Sequence, residues 1–167
     1  AGAGTGKTYT IVEKIKYPFN GWLRFFHYIP ILRKQANAII SKYKISHVKY
    51  HMLNEGTKRV VIEATINCPK AVTLLLVHLA LGKKARDKQL KELINIVNNI
   101  KNPVILMGDF NTFKGATEIK QLLQKTNLKD NANLHNNHVC STQPTSNPKR
   151  RLDYVLVSKR IKVKRYE

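Results

Sequence analysis

The side chains able to do chemistry are few enough to follow one by one. Gly108-Asp109-Phe110-Asn111 closes the apolar run Val104 to Met107. In extended chain, residues two apart share a face. Asp109 and Asn111 therefore point the same way, about 7 Å apart by strand rise, while Phe110 points into packing. A carboxylate and an amide at the carboxyl end of a strand can position a water and a substrate oxygen. The same residue types also build an Asx turn that merely caps a strand. Gly108 admits a close approach of backbone or ligand. His78 closes a second apolar run, and Asp153 opens a third, Leu152 to Ser158. The chain has only four aspartates, Asp87, Asp109, Asp130 and Asp153. One set beside an apolar strand needs a reason, because an unpaired buried carboxylate is costly.

The elements that must position these groups follow from periodicity. Val72 to Leu79 reads as a strand covered on both faces. Arg86 to Ile100 reads as a helix, with Leu90, Leu93, Ile94, Val97 and Ile100 at helical spacing. Pro103 to Met107 reads as a short buried strand. Strand, helix and strand form a βαβ unit, whose right-handed crossover makes the two strands parallel. His78 and Asp109 then lie at one sheet edge. Asp153 joins them only if strand 152–158 runs antiparallel to strand 104–108. Otherwise it pairs with Arg150 or Arg151 as a structural salt bridge. Residues 37–41, 45–53 and 59–66 read as an antiparallel meander, with a hairpin turn at Asn54-Glu55-Gly56-Thr57. Ile119, Leu122 and Leu123 mark a second helix, and residues 127–150 read as loop.

Composition sets the frame. The chain has 167 residues, 43% of them hydrophobic, which suits a single globular domain over residues 1–167, expected to be a monomer. No apolar run reaches the ~18–20 residues needed to span a bilayer. Two cysteines, Cys68 and Cys140, suggest free thiols in a reducing compartment, with the cytoplasm as the default. Thirty Lys and Arg against ten Asp and Glu give a formal charge of +20. That charge suits nucleic acid, an anionic membrane face or a phosphorylated substrate, and equally a general bias toward Lys, Asn and Ile. On charge alone, a non-enzymatic nucleic-acid-binding module is the alternative to an enzyme. Lys149-Arg150-Arg151, just before Asp153, reads as a phosphate-binding run or as a solvated charge run. The aromatic and basic segment 17–34 would pack over the domain, touch a membrane interface or stack on bases. The opening Ala1-Gly2-Ala3-Gly4-Thr5-Gly6-Lys7-Thr8 loosely fits a phosphate-binding loop, but Tyr9-Thr10-Ile11-Val12 is β-prone where that motif needs a helix.

Four stretches together resemble a known family: Val77-His78-Leu79, then Arg86 and Gln89, then Gly108-Asp109-Phe110-Asn111, then Arg151-Leu152-Asp153-Tyr154. Their order and spacing are similar to those of the endonuclease/exonuclease/phosphatase superfamily of DNase-I-like nucleases, inositol phosphatases and neutral sphingomyelinases. Asn37-Ala38-Ile39-Ile40-Ser41 also resembles a strand of that family. The resemblance implies a four-layer α-β-β-α sandwich, here incomplete, and phosphoester hydrolysis that depends on Mg²⁺ or Mn²⁺. It implies that Asp109 orients or deprotonates the attacking water and that His78 donates to the phosphoryl oxygens. Asn111 would hold a phosphate oxygen or, with Asp109, approach a metal. Asp153 would orient a histidine beyond this chain. Arg151, Lys149 and Asn37 would contact the substrate. The family's principal metal-binding Glu and its closing Ser-Asp-His motif are not matched, since Glu13 stands in a polar stretch. The expectation is therefore an internal piece of such a domain, weak or inactive alone.

Overall fold

A computed structural model describes residues 9–14, 36–132, 141–144 and 146–164. The Gly-rich opening, the aromatic segment 17–34 and Cys140 lie outside the described residues.

The β-branched and aliphatic runs build two sheets. β1 (Tyr9–Lys14) and β2 (Ala36–Ser41) pair antiparallel as a two-stranded ribbon. The larger sheet has six strands in the order β3-β4-β5-β6-β8-β7. These are β3 (Lys44–Met52), β4 (Val60–Asn67), β5 (Ala71–His78), β6 (Val104–Asp109), β7 (Leu128–Asp130) and β8 (Asp153–Ser158). Among the described residues only the β5–β6 pair is parallel, as a crossover through α1 (Lys83–Asn98) requires. A short helix, α2 (Lys120–Lys125), follows β6.

Period-two alternation divides the large sheet into two faces. Val61, Leu75, Val77, Leu106 and Leu156 pack with Leu90, Leu93, Ile94 and Val97 of α1. Fully burying each such side chain is worth about 1.5–3 kcal/mol. On the opposite face, Val60, Ile62 and Ala64 of β4 pack with Ile39 of β2. The order helix, six-stranded sheet, two-stranded ribbon is three of the four expected layers, among the described residues. None of the described helices is long and apolar enough to cross a membrane.

Two expectations are corrected. Residues 37–41 do not join the meander: β2 pairs with β1, and the chain turns through Lys42 and Tyr43 from one sheet into the other. Residues 127–150 are not all loop, because β7 pairs with β8 over Leu128–Asp130. Three residues are too few for alternation to show.

Candidate active site

Parallel and antiparallel registers converge on one edge of the large sheet. His78 is the last residue of β5 and is in register with Asp109, the last of β6. Asp109 is in turn in register with Asp153, the first of β8. The antiparallel condition on strand 152–158 is met. Side chains in register across neighbouring strands share a face, so the imidazole and both carboxylates form a row. The Asp109 and Asp153 Cβ atoms of such a pair lie about 4.5–5.5 Å apart.

Each member of the row is held for a local reason. Gly108 has φ +134° and lies so close to β5 that a Cβ would stand 2.0 Å from the Val77 carbonyl oxygen. Only glycine lets the strands meet there. Phe110 is fully buried, donates its N–H to Leu152 O at 2.8 Å and packs edge-on against Tyr154 at 5.4 Å. It thereby anchors the turn between Asp109 and Asn111. Asn111 takes a left-handed φ of 50°, which Asn tolerates better than most residues. Its N–H donates to Asp109 Oδ1 at 2.8 Å, so the Asx turn is real. The turn does not exclude chemistry, because it uses one carboxylate oxygen and leaves Oδ2 facing His78 Nε2 at 3.3 Å. Asn111 Nδ2 donates to Leu79 O at 2.8 Å, so its side-chain oxygen is the end that remains to accept or to coordinate.

Sequence reasoning missed Lys58. This half-buried lysine, on the loop between β3 and β4, brings Nζ against His78 Nε2. With Nε2 protonated, His78 donates to Asp109; with Nε2 bare, it accepts from Lys58. Burial holds the Lys58 ammonium below its ordinary pKa, with the Asp109 charge partly countering. For Asp109, burial pulls the carboxyl up. Hydrogen bonds from His78 and the Asn111 N–H, with the His78 and Lys58 charges, more than offset it and hold the group low. No spacing rule points to Lys58. It reaches the site because Gln89, fully buried on α1, donates to Glu55 O at 2.6 Å and to Lys58 O at 2.7 Å. The Gln89 Oε1 also accepts from Ala80 N at 2.8 Å, just past His78. Gln89 thus ties the Lys58 loop to the end of β5.

Arg86 is the second tie. It donates to Ala80 O and Leu81 O at 3.1 and 2.7 Å, and from Nε and Nη2 to Glu118 Oε2 at 2.8 and 2.6 Å. It connects the loop after His78 to the turn after Asn111. The matched pair Arg86 and Gln89 therefore shapes the site from behind.

The remaining candidates go elsewhere. Arg151, expected to contact substrate, is directed to Asp130 at 2.6 and 2.9 Å and lies over the Tyr154 ring at 4.1 Å. Arg151 Nε also donates to the Asp153 backbone carbonyl at 3.3 Å, and Asp153 itself is exposed rather than set among apolar neighbours. Lys149 and Arg150 are exposed on a tight hairpin in which Gln143 and Arg150 bond to each other. Asn37 lies on β2, on the same face as Ile39, with its Nδ2 buried and without a hydrogen-bond partner among the described residues.

Among the described residues, no three His, Cys, Asp or Glu side chains are grouped to enclose a metal. The donor set does suit a hard cation that keeps most of its waters. Like charges directly opposite on neighbouring strands destabilise a sheet. A cation between Asp109 and Asp153 would relieve that cost.

A sequence model of the endonuclease/exonuclease/phosphatase family matches residues 4–167. The chain belongs to this family. Its members hydrolyse phosphoesters. An endonuclease/exonuclease/phosphatase family protein from Leptotrichia buccalis superposes with a TM-score of 0.69 at 20% identity, covering 96% of this chain and 62% of that one. The human nocturnin catalytic domain, with bound sulfate, superposes at 0.58 and 19% identity, over 90% and 60% of the two chains. A Staphylococcus aureus beta toxin with bound magnesium ions superposes at 0.57 and 25% identity, over 73% and 52%. Among curated relatives, the uncharacterized protein YbhP of Escherichia coli is 34% identical over 86 residues, which is 47% of this chain and 34% of YbhP. The chain thus spans about a third of that relative and under two thirds of the Leptotrichia protein.

Proposed function

We propose that the protein is a divalent-metal-dependent phosphoester hydrolase whose reaction is carried out at the His78–Asp109–Asp153 edge. The observation that supports this reading most is the register itself, His78 with Asp109 and Asp109 with Asp153, on three adjacent strands.

In this reading, the low-lying Asp109 carboxylate stays ionised at neutral pH and its Oδ2 orients the attacking water. His78, and Lys58 beside it, present donors to the phosphoryl oxygens as negative charge grows on them. Asp153 lies on the far side of Asp109, while the Asn111 side chain is held at the β5 end by its bond to Leu79 O. Mg²⁺ or Mn²⁺ held by Asp109, with Asn111 or Asp153, would neutralise charge on the phosphate. Water attack breaks one P–O ester bond, and the leaving oxygen takes up a proton.

The test is hydrolysis of an activated aryl phosphodiester with Mg²⁺ by wild type, Asp109→Ala and His78→Gln. The reading predicts turnover, however slow, that Asp109→Ala lowers by roughly 10²–10⁴-fold, the range for a lost acid–base group. Equal turnover in wild type and Asp109→Ala would overturn it.

A further inference from the structure

Beside the reaction edge lies a groove of about 370 Å³ that the chemistry above does not use. One wall is Phe113, two residues past Asn111, and the other is the hairpin carrying Lys149 and Arg150. Phe113 is 41% exposed, so part of its ring is open to solvent beside the groove. The ring is braced on one side: the Arg86 guanidinium lies 5.8 Å from its centroid, and Arg86 is itself fixed by Glu118. Gly115, with φ +71°, turns the chain just past it, with no atom of the described residues within 4 Å of a Cβ there. The hairpin wall is equally fixed, with Lys149 and Arg150 each donating a backbone N–H to Gln143 O at 2.8 and 2.9 Å.

We propose that this groove is a subsite for an unpaired nucleobase and its neighbouring phosphate, so that the substrate is single-stranded nucleic acid. This rests on the phosphoester reading of the adjacent edge and names its substrate class. A braced, half-exposed aromatic ring is a stacking platform, and every base has a face to offer it. Lys149 and Arg150 neutralise the next phosphate. The exposed cations argue against a choline headgroup: a quaternary ammonium on Phe113 would face Lys149 and Arg150, while the carboxylate lining the groove, Asp130, is already bonded to Arg151. A polyphosphorylated polyol would use the cations but leave the phenyl ring idle.

The experiment measures binding by fluorescence anisotropy in EDTA, so that no turnover enters. The probes are labelled oligothymidylate, the same backbone with abasic residues, and vesicles of phosphatidylcholine and sphingomyelin. Phe113→Ala should weaken oligothymidylate binding by roughly five- to a hundredfold. It should leave abasic binding unchanged, while Phe113→Tyr restores the loss. Replacing Lys149 and Arg150 by Ala should weaken both oligomers and flatten the salt slope by about 0.7 per residue. Phe113→Ala that lowers both oligomers equally, or neither, would overturn the proposal. So would vesicle binding that needs Phe113 while oligothymidylate binding does not. The hydrolase reading fails separately: base-dependent binding with turnover indifferent to Asp109→Ala would leave the subsite and remove the reaction.

Discussion

Replacing Arg86 with Met should cost more than any other single change behind the site. Both members of the Arg86–Glu118 pair are almost fully buried, with side-chain exposures of 2% and 4%. The substitution leaves a buried carboxylate without its cation and removes the donor from Ala80 O and Leu81 O. Breaking a buried pair by deleting one partner costs about 3–5 kcal/mol. For a chain of this size each kcal/mol moves Tm by about 2–4 °C, so Tm should fall by roughly 6–20 °C. Circular dichroism melts and urea titration at neutral pH give both numbers. The double variant Arg86→Met with Glu118→Leu removes the stranded charge and should recover most of the loss, since a buried pair is often replaceable by apolar groups. The buried Ala80 carbonyl left without this donor keeps a residual cost of about 1–3 kcal/mol, the Leu81 carbonyl lying nearer solvent. A single variant that costs under ~1 kcal/mol, or a double variant as unstable as the single, would show that Arg86 does not hold the two loops together.

Three further outcomes follow from the same geometry. Gly108→Ala places a Cβ 2.0 Å from the Val77 carbonyl oxygen at a φ that suits only glycine, so it should destabilise by about 2–6 kcal/mol in a urea titration. The Asp109 carboxyl is depressed in the folded chain, so its stabilisation is present above the unfolded value of about 3.9 and is lost as pH falls through the folded value. The stability gap between wild type and Asp109→Ala, followed by melts from neutral pH into acid, should therefore narrow below about pH 4. Lys58 is depressed because burial disfavours its cation, which costs stability wherever the unfolded lysine is charged. Lys58→Met should accordingly raise Tm at pH 7 while lowering turnover, and the gain should shrink as pH climbs toward about 10.4.

Much of the edge is legible in the sequence because it is built from local pattern. The apolar runs ending at His78 and Asp109 and beginning at Asp153 are strands, and a helix between the first two fixes their parallel order. Direction plus run length then brings three polar residues to one edge. The parts that escape depend on contacts distant in sequence. Lys58 reaches His78 through Gln89, which bonds to carbonyls more than thirty residues away. Arg151 precedes Asp153 in sequence, which suggested a phosphate ligand, but Asp130 on β7 claims its guanidinium. That strand is too short to be seen beforehand. Ser41 and Lys44 are nearly adjacent, yet the chain changes sheets between them, a corner that hydropathy alternation cannot reveal.

The most direct test of the reaction edge is a Mn²⁺ titration of the isotope-labelled chain, followed by paramagnetic broadening of its amide signals. Signals of Asp109, Phe110, Asn111 and Asp153 should vanish first, and Asp109→Ala should abolish that order. Broadening that begins instead around Asp87 and Glu92 on α1, or that is unchanged in Asp109→Ala, would contradict the assignment of this edge as a metal-assisted phosphoester site.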